Sequence, residues 1–304
     1  MKQNLILIRF GEIGLKAEYT RRQFSQILKK NMKYAFLQEN IPAKILLTRS
    51  RIFLYTDYIE KSIKVLSKIF GIVSFSPTWE ASSNLDNLTS CVLNLIEGEL
   101  TSTTSFALRV RRTGDHEYSS QDVAVQIGQA VCDRFHASVD LTNPDIELFI
   151  EIREDKAFLF KEKIEGVGGL PYASQGKICC YVRNKKDLLA GWFLMKRGCK
   201  IRFFSSDKLL ITLTKKFLGK WFISKDSASF IRSVHERNPE KYLKNEIEKC
   251  HCDGVCMGLT CQDEGVILIE NIKEFQKSFS LPVFTTLISM TDEECNQWMI
   301  RIGI

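Results

Sequence analysis

Over the first eighty residues the spacing of apolar side chains switches between strand and helix periods in a fixed order. That order constrains the fold more than any other feature of the chain. Leu5–Arg9 reads as a strand, and Thr20–Gln38 carries Phe24, Ile27, Leu28 and Met32 on one helical face. Ala43–Leu47 and Ile52–Thr56 read as two short strands, Ile59–Phe70 as a second helix and Ile72–Trp79 as a closing strand. A β-α-β-β-α-β succession of this kind is the ferredoxin-like arrangement.

The pattern then changes. Ser82–Asn87 is polar and turn-like, Leu88–Leu100 is helical, Phe106–Arg111 is a strand, and Ser120–Phe135 is a helix opened by serines. Val139–Leu141, Ile146–Ile152 and Phe158–Lys161 read as strands, and Gly166–Pro171 interrupts regular structure. Beyond it, strand Ile178–Val182, helix Leu188–Arg197 and strand Lys200–Ser205 alternate as in an open, largely parallel sheet. The fold class is therefore α+β followed by α/β, with domains expected over residues 1–80, 81–168 and 169–304. A chain of 304 residues has room for two or three such cores.

Composition narrows the setting. No apolar stretch approaches the length that spans a bilayer, and the apolar run after Met1 is too short for a signal core. Ten cysteines without a secretory signal point to a reducing cytoplasm, where thiols are core residues, ligands or nucleophiles. A formal charge of +7 favours acidic partners without singling one out.

Arg109, Arg111, Arg112 and His116 fall within one strand and its following turn, Thr113-Gly114-Asp115. Arg109 and Arg111 share a face, because strand side chains alternate with period two. Arginine suits phosphate because its planar fork donates two parallel hydrogen bonds, and Tyr118 adds a surface on which an unpaired base can stack. The same cluster also suits a solvated strand edge, and the residues alone leave both readings open. A second basic group, Arg9, Lys16, Arg21 and Arg22, brackets the loop Phe10–Leu15. Cys250, His251, Cys252, Cys256 and Cys261 crowd into twelve residues, but their spacing fits no common zinc motif, so a structural, buried role is expected in preference to metal binding.

At the basic segment the match becomes specific. Phe106–Val123 resembles the heart of a THUMP domain in the tRNA 4-thiouridine synthetase (tRNA sulfurtransferase, ThiI-type) family. The similarity continues through Val139–Asp145, Glu165–Pro171 and Gln175-Gly176-Lys177, and Gly11-Glu12-Ile13 with Leu15-Lys16 resembles that family's opening motif. The resemblance implies a ferredoxin-like N-terminal domain joined to a THUMP domain, together gripping the acceptor stem and 3′ end of tRNA. It also implies a Rossmann-like PP-loop domain with a parallel sheet that activates a uridine with ATP, and often a homodimer. On that basis Arg109, Arg111, Arg112, Asn143 and Pro144 are expected near RNA; the reading of the residues themselves adds His116, Tyr118, Lys16 and Arg21 as further contacts.

The chain departs from that family where nucleotide chemistry is expected. The Ser-Gly-Gly-x-Asp-Ser of the phosphate loop falls on Val182, Arg183, Asn184, Lys185, Lys186 and Asp187. Glycines serve such a loop because backbone N–H groups must lie against pyrophosphate, where a Cβ intrudes. The second nucleotide-side motif falls on Gln262–Leu268 and matches no better, Thr285 stands where an arginine is expected, and Ile304 precedes the segment that carries a catalytic cysteine in many relatives. The expectation is a cytoplasmic tRNA-binding protein with a degenerate PP-loop domain, no cofactor and no enzymatic activity of its own. The alternatives are an active sulfurtransferase that holds ATP through Lys185 and Lys186, or a subunit that presents tRNA to a separate catalytic or sulfur-donor protein.

Overall fold

The structure is a computed structural model and describes residues 2–230, 239–260, 262, 272–273, 276–277 and 280–304. The chain divides into two compact units. One comprises Met1–Arg9, Glu39–Lys64 and Ser74–Glu165; the other comprises Phe10–Gln38, Val65–Val73 and Gly166–Ile304.

The opening elements follow the expected order: β1 (Leu5–Phe10), α1 (Glu18–Gln38), β2 (Lys44–Leu47), β3 (Ile52–Tyr55), α2 (Ile59–Leu66) and β4 (Ile72–Ser82). Helix α2 stops short of the expected Phe70, because Lys68 and Ile69 turn their N–H groups onto Val65 and Leu66 three residues back. Strand β4 runs on into the expected polar seam. Helix α3 (Leu85–Ile96) starts earlier than the apolar period suggested, because the Asn84 side chain accepts from Asn87 N at 3.1 Å and caps it.

Next come β5 (Ser105–Thr113), α4 (Ser120–Phe135), β6 (Ser138–Val139), β7 (Ile146–Arg153), β8 (Lys156–Phe160) and β9 (Ile164–Glu165). Helix α4 begins where its serines predicted, with Ser119 and Asp122 forming a reciprocal capping box. Strand β6 is shorter than expected and excludes Leu141. These strands join the first group in a nine-stranded sheet ordered β2-β3-β1-β4-β8-β7-β5-β6, with β9 paired to β4. Leu148, Ile150 and Ile152 of β7 pack with Leu88, Val92, Val123 and Ile127 of α3 and α4. The period of two therefore sends Phe149 and Glu151 to the opposite face.

In the second unit β10 (Lys177–Tyr181), α5 (Lys185–Lys196), β11 (Lys200–Ser205), α6 (Lys208–Lys220), β12 (Ala228–Phe230), α7 (Pro239–Cys250), β13 (Gly254–Cys256), β14 (Val283–Phe284) and α8 (Asp292–Ile302) succeed one another. The sheet order is β12-β11-β10-β13-β14 and every pairing is parallel, as the alternation predicted. Its core gathers Phe70, Trp192, Phe203, Phe217 and Leu218. Gly169, at φ +74°, lets the chain pass helix α5, since a Cβ there would stand 2.0 Å from the Lys196 carbonyl oxygen.

Candidate nucleic-acid interface

Strands β5 and β7 run parallel with Arg109 opposite Phe149 and Arg111 opposite Glu151. Strand β8 sets Phe160 opposite Phe149. Parallel register partners point the same way, so these side chains share the face that α3 and α4 leave open. Arg9 of β1 reaches the same place. The result is a cavity of about 530 Å³ lined by Arg9, Arg109, Arg111 and Lys163, with Glu147, Glu151, Phe149 and Phe160.

Glu151 is the electrostatic centre of this face. It is buried, with Arg153 Nε at 2.6 Å, Arg51 Nε at 2.9 Å and Arg9 Nη2 at 4.0 Å. Burial pushes its carboxyl up, but Arg51 and Arg153 outweigh that and hold it below its ordinary value. Arg9 donates through Nη1 to Ser76 Oγ at 3.0 Å, while its buried Nη2 has no hydrogen-bond partner. Burial pulls the Arg9 guanidinium down to about 10; Glu151 opposes the shift, and Arg51, Arg111 and Arg153 add to it. At neutral pH it stays charged. Burial, then Arg9 and Arg111, likewise lower Lys163. The cations that depress one another here outnumber the two carboxylates, Glu147 and Glu151, and an incoming anion relieves the repulsion.

The floor is aromatic. The Phe149 and Phe160 rings stack at 5.1 Å with an interplanar angle of 7°. The Arg9 guanidinium carbon sits 4.6 Å from the Phe160 centroid, and Lys163 Nζ lies 3.6 Å from that of Phe149. Arg109 pairs with Glu147 at 2.5 Å and donates to the Leu141 carbonyl at 2.8 Å, leaving Arg111 exposed at the rim.

The structure separates residues that the sequence grouped. Arg112 lies on the opposite side of β5 from Arg109 and Arg111. It donates to the Gly114 carbonyl at 3.0 Å and to His116 Nδ1 at 3.3 Å, while His116 Nε2 lies 2.7 Å from the Glu154 carbonyl. These bonds place both residues in the turn's internal frame. Tyr118 donates to the Ser83 carbonyl at 2.6 Å and packs on the core below α4, so its ring is occupied as a packing surface. Asn143 stands exposed in a turn whose Thr142 and Asn143 N–H groups donate to Asp140. Lys16 and Arg21 belong to the other unit. Sequence reasoning missed Arg51, Arg153, Lys163, Phe149 and Phe160. The available signal was charge at core-facing strand positions, as in Phe149-x-Glu151-x-Arg153.

The loop Val182–Asp187 also has a definite geometry. Asn184 caps α5 by accepting from Lys186 N at 2.8 Å and Asp187 N at 3.2 Å. Asp187 is fully buried and accepts from Arg183 N at 2.9 Å and Gly258 N at 2.8 Å. Lys186 Nζ lies 2.6 Å from Asp292 Oδ1, and Lys185 is exposed. The N–H groups of Arg183, Lys186, Asp187 and Gly258 are therefore already paired within the chain. The remaining motif at Asp263–Leu268 lies outside the described residues.

Cys252 and Cys256 are buried and Cys250 half-buried; Cys261 lies outside the described residues. Among the described residues no three His, Cys, Asp or Glu side chains stand together as metal ligands. No helix among them is long and apolar enough to cross a membrane.

A ferredoxin-like unit joined to a THUMP fold and followed by a parallel α/β domain defines a class of RNA-modification proteins, and comparison with known proteins agrees. The ThiI ferredoxin-like domain family matches residues 5–76 and the THUMP domain family residues 82–162. A "Probable tRNA sulfurtransferase" of Methanothermobacter thermautotrophicus is 39% identical, with 99% of this chain and 85% of that protein aligned. The corresponding Methanocaldococcus jannaschii protein is 33% identical over 98% of this chain and 87% of its own. The chain belongs to the tRNA sulfurtransferase family. Among solved structures, PH1313 from Pyrococcus horikoshii has a TM-score of 0.85 at 29% identity, covering 99% of this chain and all of that one. A 4-thiouridine synthetase–RNA complex with bound ATP shares the fold, with a TM-score of 0.77 at 20% identity over 99% of this chain and 85% of its own.

Proposed function

We propose that this chain binds the acceptor stem and 3′ end of tRNA, with the cationic cavity of its THUMP face as the phosphate grip and the Phe149–Phe160 floor beneath it. The observation that carries this reading is the crowd of cations around Glu151, with the buried Arg9 Nη2 lacking a hydrogen-bond partner. Phosphate supplies the acceptors such a site lacks, and RNA supplies phosphate beside bases. The relatives' name and the RNA in the solved complex support the same choice of ligand.

In this reading the third domain works without ATP chemistry of its own, and the chain holds or presents tRNA, alone, as a homodimer or to a separate catalytic or sulfur-donor protein. The occupied donors of Val182–Asp187 favour it. The rival is an active ATP-dependent tRNA sulfurtransferase, favoured by the ATP bound in the solved 4-thiouridine synthetase complex. Calorimetric titration of the full chain with ATP and magnesium, with and without tRNA, separates the two. No saturable heat is expected, and low-micromolar binding would favour the enzyme.

A further inference from the structure

Strands β10 and β13 lie side by side where the sheet order turns back, with β11 and β12 on one side and β14 on the other. Open parallel sheets take their ligands in the crevice outside the strand ends at such a point. Here the Arg183 N–H, just past β10, converges with the Gly258 N–H, just past β13. Between them stands the carboxylate of Asp187. Its Oδ2 accepts from Arg183 N at 2.9 Å and Arg183 Nε at 3.2 Å; its Oδ1 accepts from Gly258 N at 2.8 Å and Arg183 Nη2 at 3.0 Å. Two backbone donors from different strand ends and a guanidinium fork form the donor set that suits a phosphate or sulfate. Gly258 makes the approach possible, since a Cβ there would stand 2.4 Å from Asp187 N.

We propose that Asp187 is a built-in substitute for an anionic ligand, its carboxylate filling from within the chain an oxyanion position framed by Arg183 and Gly258. Removing the carboxylate turns the crevice into a site for a small tetrahedral oxyanion. The first N–H groups of α5 take no part, because Asn184 already holds them. A cavity of about 540 Å³, bounded by Arg183, Asn184, Lys185, Lys186, Gly258 and Leu259, opens beside the position and admits the ion. The inference rests on the reading that the unaltered crevice holds no nucleotide. ATP titration of the unaltered chain tests that reading alone, whereas phosphate binding by a variant tests this one.

The probe is inorganic phosphate, compared with chloride at matched ionic strength, on full-length Asp187→Ala by calorimetry and thermal unfolding. The variant is expected to bind phosphate saturably, its unfolding constant falling about tenfold for each tenfold rise in phosphate above the dissociation constant. The unaltered chain and the isosteric Asp187→Asn are expected to respond alike to both salts, and adding Arg183→Ala to Asp187→Ala is expected to abolish the effect. If the alanine variant does not fold in chloride, recovery of its folded state in phosphate is the same readout. Asp187→Ser, which keeps an acceptor for Gly258, repeats the test. Identical behaviour of both variants in phosphate and chloride, or equal phosphate binding by the unaltered chain, overturns the proposal.

Discussion

Arg51, just before β3, and Glu151 on β7 stand 100 residues apart in sequence, yet Arg51 Nε lies 2.9 Å from Glu151 Oε1. This ion pair ties a strand of the ferredoxin-like segment to the THUMP sheet beneath the cationic cavity. Removing one partner of a buried pair strands the other's charge. Glu151→Gln is therefore expected to cost about 3–5 kcal/mol in denaturant unfolding, because Arg9, Arg51 and Arg153 lose their shared counter-charge. A cost below about 1 kcal/mol would mean that solvent already screens the cluster.

The same residue gives a pH signature. The Glu151 carboxyl lies below its ordinary value of 4.5 when folded. The stability it contributes is thus fully present above about pH 4.5 and is lost as pH falls through the lower folded value. Thermal melts from pH 7 to pH 3 are expected to show the difference between the unaltered chain and Glu151→Gln shrinking only below that point. A difference that shrinks between pH 7 and pH 5 would contradict the assignment.

Arg111 and Arg112, adjacent in sequence, are expected to behave differently. Arg111→Ala should weaken tRNA binding by about 1–3 kcal/mol and lower the slope of log affinity against log salt by about one phosphate's worth. Arg112→Ala acts through the turn that holds Gly114 and His116, so its salt slope should stay near that of the unaltered chain. Filter binding across a salt series decides, and equal slope changes for the two would place both guanidinia on phosphate.

Tyr118→Phe tests whether that ring is a core element. Losing the hydroxyl's bond to the Ser83 carbonyl should cost about 0.5–1.5 kcal/mol in unfolding while RNA affinity is unchanged. Unchanged stability would return the ring to the solvent and to base stacking.

The strand-helix order and the parallel sheet were legible because burial imposes periods of two and 3.6 on the sequence. The shared face of Arg109 and Arg111 followed from the same rule. What the sequence did not reveal depends on register between distant strands. Arg9, Arg51 and Arg153 converge on Glu151 only because β1, β3 and β7 are brought into one sheet, and no local spacing encodes that meeting. Arg112 was grouped with its neighbour by proximity, although period two already sent it to the other side. Asp187 looked like an aspartate one position out of place. Its role appears only with the Gly258 N–H, which arrives from the end of β13.

The most direct test of the central claim compares an acceptor-stem minihelix with the same RNA lacking its three terminal nucleotides, at one fixed salt concentration. The last three nucleotides bring phosphates to the cavity of Arg9, Arg111 and Lys163, and a hydrogen bond to a charged group contributes about 1.5–3 kcal/mol, so trimming should cost roughly tenfold or more in affinity. The minihelix should otherwise retain most of the affinity of full-length tRNA. Equal affinity for trimmed and intact minihelix would mean that the cavity reads duplex charge alone, and would contradict the account.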